Sequence, residues 1–147
     1  MKSPNTDTWN RILVRFLLAF AFWEAVAIPL RMLFFSKFYF DPSLKGIFVP
    51  IADVYWVGPI AGDLLQTLFL GILYGYAKEN LPKGLVGGLL FGLLFSLTAY
   101  VGLVLFLSNL IQITPTILWW VWAGYQTLFA LATGAIYSIG WDSSDNQ

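Results

Sequence analysis

The sequence predicts an all-α integral membrane protein, a four-transmembrane-helix bundle with one long, partly ordered extracytoplasmic connection. Three observations carry that prediction. The stretch from Gly84 to Leu107 holds no charged residue and exceeds the about 20 apolar residues that cross a bilayer core. Its small residues Gly84, Gly88, Gly92 and Ser96 fall four apart, which makes a flat helical face on which another backbone can press closely. Finally, 59% of the chain is hydrophobic and 11% charged, against about 25% charged in an ordinary soluble domain. In water such a chain would expose large apolar patches, whereas lipid accepts them as outer faces.

Composition also excludes functions. Formal net charge is zero and no basic stripe is present, so nucleic-acid binding has no electrostatic footprint. The chain has no cysteine and no histidine. That removes disulfides, Cys/His zinc sites and histidine-ligated haem, together with the commonest general base. No phosphate loop, nucleotide fingerprint or nucleophile motif appears. Neither a cofactor nor a catalytic residue is assigned, and an enzyme acting on lipid is the weakest reading.

Span one is expected over residues 12–35, after a polar start in which Trp9, Arg11 and Arg15 form an interfacial collar. It is read as an uncleaved span because its apolar run is too long for a signal peptide. Glu24 lies nine residues past Arg15, roughly 13 Å along the axis and so near the bilayer midplane. Ala21 and Ala25 make a small-xxx-small pair beside it, and Pro29 removes one backbone hydrogen bond near the outer end.

Residues 36–58 form the long connection, a length that is uncommon in compact domains and often functional. Phe48 to Trp56 is apolar enough to suggest an interfacial or re-entrant segment. Span two is expected over 59–77, with Thr67, Gly71 and Gly75 as its small face. A short polar loop then leads to span three, residues 84–107, read as the central packing helix. Thr114-Pro115 looks like the start of span four, 115–141, with a capping hydroxyl and proline at the first helical position. Trp119, Trp120 and Trp122 read as an aromatic belt, and Ala130, Gly134 and Ser138 as a further small face.

Lys2, Arg11, Arg15, Lys78 and Lys83 fall on one side of this topology and Arg31, Lys37 and Lys45 on the other. Five against three favours both termini in the cytoplasm, in a plasma (inner) membrane. The tetrapeptide Gln-Thr-Leu-Phe occurs at 66–69 and again at 126–129, either a trace of duplication or a coincidence in a chain of few residue types.

Chemistry, if any, belongs to the polar residues inside the spans. A carboxylate at the bilayer centre costs at least about 2.5 kcal/mol, so Glu24 should face the interior, paired or protonated. Arg31 lies two turns on along the same face. Asp63, Gln66 and Gln126 can complete a ligand or ion site, although Asp63 also reads as a first-turn acid on the helix dipole and the glutamines as interhelical glue. The leading function is transport, permeation or small-ligand binding around Glu24. The alternative is an accessory subunit of a larger membrane complex. The expected partners are the lipid bilayer and, through the glycine faces, a second copy or another membrane protein.

Overall fold

The computed structural model describes residues 6–48, 53–111 and 115–139, and among these the chain is all helical with no strand. The helices are α1 (Thr6–Tyr39), α2 (Val57–Ala77), α3 (Leu85–Ser96), α4 (Gly102–Leu110) and α5 (Thr116–Ser138). A π-turn, Leu97–Val101, joins α3 to α4, so the two form one rod over Leu85–Leu110. Three rods are long and apolar enough to cross a membrane: Asn10–Tyr39, Val57–Asn80 and Leu85–Leu110. Helix α5 has 23 residues but is diluted by Trp, Tyr, Gln and Thr, and it does not join them on hydropathy.

Local chemistry explains the ends. Helix α1 runs past the expected Phe35 because nothing breaks it before Asp41-Pro42, where the residue ahead of proline is pushed out of the α region. Asp41 then caps a 3₁₀ turn, Pro42–Leu44, accepting hydrogen bonds from the Ser43 N–H at 2.9 Å and hydroxyl at 2.7 Å. These bonds hold the Asp41 carboxyl below its ordinary pKa. The connection is therefore shorter than expected. Leu44 is buried and Phe48 packs on Tyr39 with ring centroids 4.7 Å apart; much of the proposed re-entrant segment, residues 49–52, lies outside the described residues. Pro115 is the N-cap of α5, and the helix begins at Thr116, one residue later than expected. Thr114, Trp141 and the side chain of Trp9 are outside the described set.

Helix α5, not α3, is the centre. It meets α1, α2, α3, the π-turn and α4, and Phe129, Ala130 and Tyr137 on it are fully buried. Helix α3 meets α5 along the expected small face. A side-chain carbon on Gly88 would overlap the Gly134 carbonyl and Ser138, and one on Gly92 would overlap the Ala130 carbonyl. Ser96 continues that row, fully buried. Gly84 does not belong to it. It caps α3 at φ +70°, ψ −155°, a conformation open to glycine alone, so its missing side chain serves the turn. Gly71 makes room for the Tyr137 ring, whose hydroxyl donates to the Thr67 carbonyl at 3.1 Å, while Gly75 makes only an ordinary contact with Ile12.

Two expectations about α1 are corrected. Ala21 and Ala25 face outward. The inward row is Ala19, Trp23 and Ala27, because two alanines flanking a fully buried indole let α1 approach α5 while burying the large ring. Arg15, expected in an interfacial collar, is buried. Its guanidinium donates to the Ile139 carbonyl at 3.1 and 3.2 Å, satisfying an orphan acceptor just past the negative end of α5.

The core is mostly apolar, yet the outer surface is apolar as well. Leu33, Val86, Phe106, Leu110 and Ile28 all project outward, each more than half exposed. Asp63, Thr67, Ser96, Thr133 and Ser138 are buried.

Candidate functional site

The site forms where α1, α2 and α5 converge at the end nearest the connection. Helix α1 brings Arg31, one turn beyond Ala27 on its buried side. Helix α2 brings Asp63. Since α2 starts at Val57, Asp63 lies beyond its first turn, with its side chain 11% exposed, and the expected dipole role gives way to an ion pair with Arg31. Helix α5 brings Tyr125, whose hydroxyl accepts from Arg31 Nε at 2.9 Å. One guanidinium thus ties all three helices together, with the geometric selectivity that a forked donor provides.

Arg31, Asp63, Gln66 and Gln126 line one cavity of about 420 Å³, within the usual range for small-molecule sites. Rings make up most of its remaining wall: Phe35, Tyr39, Phe48, Trp119, Trp122 and Tyr125. Four of the five polar residues anticipated from sequence therefore meet in one space. The fifth, Glu24, is not part of the wall. It lies behind, beside the Asp63 carboxyl, with its Oε1 buried and without a hydrogen-bond partner. The indole N–H of Trp23 is also near Asp63 but short of hydrogen-bond geometry.

Several site residues escaped sequence reasoning. Trp119 and Trp122, read as belt residues, line the cavity, and of the three tryptophans only Trp120 is exposed. The signal was present: positions 119 and 122 share one helical face with Gln126. Tyr100 had no such signal. It is 6% exposed, packs edge-on to Trp122 with centroids 5.7 Å apart, and its hydroxyl is buried without a partner, within electrostatic reach of Asp63. The π-turn places it there. Residues four apart drift about 40° around an α-helix at each step. A turn bonded i→i+5 takes up more residues and counters that drift, so Ser96, Tyr100 and Val104 are all buried.

The repeated tetrapeptide takes two environments. Gln66 and Gln126 both face the cavity, but Phe69 is exposed and Phe129 fully buried. Among the described residues no three acidic side chains gather as a metal site. No protein-family model, curated protein or solved structure matches the chain. The arrangement can hold a small solute with its polar end on the ion pair and its body against rings.

Proposed function

We propose that the chain crosses a lipid bilayer four times and binds a small solute inside the bundle, passing it across the membrane. The observation that carries this reading is the meeting of Arg31, Asp63, Gln66 and Gln126, drawn from three helices, around one ring-walled cavity. Ionisable groups at membrane depth are costly and mark substrate or ion pathways by default. The outward apolar side chains support lipid as the surrounding solvent. Helix α5, less apolar than the rest, is shielded by its neighbours and tolerates its polar residues for that reason.

Both termini lie in the cytoplasm and the membrane is the plasma membrane. Setting aside Arg31 in the site and the buried Arg15, the basic residues that support this orientation are Lys37 and Lys45 outside against Lys2, Arg11, Lys78 and Lys83 within. The chain has no cysteine of its own, which makes labelling direct. Single cysteines at Lys45 and Glu79 should react with an impermeant maleimide from opposite faces of the membrane, and labelling from one face rejects the topology. For the site, Glu24→Gln should leave the helical content intact yet alter pH-dependent flux in reconstituted vesicles. Normal yield with unchanged flux rejects the transport reading.

A second reading has its own support. Ala21 and Ala25 form a small-residue face with outward exposure, and Gly58 and Gly124 are exposed and meet nothing within 4 Å. Such faces suit another helix, from a second copy or from a larger complex in which this chain is an accessory subunit. Co-purification of a stoichiometric partner in mild detergent would favour it.

A further inference from the structure

The charge count of the cluster points to the class of solute. Two carboxyl groups, Glu24 and Asp63, stand beside one guanidinium, Arg31. The groups that face them from the other elements are Gln66 on α2, Tyr100 in the π-turn, and Tyr125 and Gln126 on α5, and none of these is a cation. Net charge in a lipid-surrounded interior is expensive, so the cluster favours the state that carries one further positive charge. A proton supplies that charge when the site is empty, and a monovalent cation supplies it when the site is filled.

The walls decide which cation. Monovalent metal ions are held by rings of oxygen ligands that replace their hydration shell, and this cavity is walled mostly by aromatic rings. Aromatic faces attract organic ammonium groups instead. The Arg31 guanidinium already lies against the hydroxyl edge of the Tyr125 ring, 5.9 Å from its centroid, so one delocalised cation stands beside this wall in the protein as it is. Trp119, Trp122, Phe35 and Tyr39 offer further rings across the remaining space. Gln66 Oε1, in the cavity wall, is a buried acceptor with no donor, which matches a positively charged guest.

We infer that the cavity between α1, α2 and α5 takes a monovalent organic cation in exchange for one proton, the proton being held by the Glu24–Asp63 carboxyl pair. This rests on the solute-binding reading and specifies its ligand. No bond is made or broken in the exchange; one cation enters and one proton leaves to solvent, so charge balances.

The test uses the purified full chain in detergent, with tetraethylammonium chloride as probe, sodium benzoate as an anion of similar bulk and potassium chloride as the inorganic control. Tetraethylammonium should change tryptophan fluorescence saturably and release about one proton per cation bound in weakly buffered solution, as charge neutrality of a buried cluster requires. Glu24→Gln leaves a cluster that is neutral without a guest, so cation affinity should fall by about tenfold or more and proton release should disappear. The proton count on the unaltered chain stands even where that variant fails to fold. Benzoate binding in place of tetraethylammonium overturns the cation class and leaves the solute-binding reading intact. Potassium competing equally overturns the organic specificity. Cation binding without proton release overturns the exchange, and no saturable binding of any probe overturns both readings together.

Discussion

Gly88 and Gly134 lie face to face, and the carbonyl oxygen of each fills the space that a side chain on the other would need. The obstacle on both sides is backbone, so neither helix can yield by a rotamer change. Gly88→Ala and Gly134→Ala should each destabilise the protein by about 1–3 kcal/mol, the usual penalty of overpacking. Gly124→Ala, where nothing lies within 4 Å, should be neutral or stabilise by up to about 1 kcal/mol through helix propensity. Unfolding titrations in mixed micelles measure all three, and equal losses at Gly88 and Gly124 would contradict the close approach of α3 to α5.

The Arg31–Asp63 pair makes an asymmetric prediction. Removing Arg31 alone leaves the Asp63 and Glu24 carboxyl groups without their cation, at the lower end of roughly 3–5 kcal/mol because the side chains keep some exposure. Removing Asp63 alone costs less because Glu24 still stands beside Arg31. The double variant Arg31→Gln, Asp63→Asn should recover most of that loss. A double-mutant cycle with additive effects would mean that the pair is not energetically coupled.

The π-turn is testable by deletion. The turn holds one residue more than a plain α-helix would, so removing Ala99 should restore an α-helix and leave everything beyond it in nearly the same phase. In single-cysteine variants Val104, fully buried, should be protected and Leu105, 53% exposed, should be modified by a membrane-permeant thiol reagent. The deletion should preserve that contrast at the same two side chains. If their reactivities become equal or exchange, the turn does not absorb an extra residue.

Asp41 gives a pH effect outside the spans. Its carboxyl is held below the ordinary value by Ser43. The cap therefore contributes stability at pH above the unfolded-state pKa and loses it as pH falls through the folded one. Ser43→Ala should move the Asp41 titration upward, measured by NMR of a side-chain-labelled sample, and should leave the cavity unaffected.

Much of the helix pattern was readable in advance because the breakers are explicit: Asp41-Pro42, Gly84 and Pro115 sit beside the observed ends. The α3 face was readable too, since four-spaced glycines leave one row able to approach a neighbour. The same logic misplaced Ala21 and Ala25. Helix α1 is apolar on its outer side as well as its inner one, so periodicity does not tell which of two small rows faces in; the bulk of Trp23 settles that only once α5 is beside it. For the site, the residue types were visible but their pairing was not. Arg31 was weighed against Glu24, on its own helix, whereas its partner Asp63 is 32 positions away and reached only through the register of α1 on α2. Tyr100 was beyond reach because a π-turn shifts phase without any residue type announcing it.

The position of α5 in chain order has a consequence for biogenesis. Arg31 and Asp63 reside on the first two rods and can find each other while synthesis is still in progress. Tyr125, Trp119 and Trp122 arrive only with α5, which also supplies the backbone that the α3 glycines press against. A nascent chain that stops before Thr116 holds three rods long and apolar enough to cross a membrane but no finished chamber, and an open seam remains between them until α5 is made.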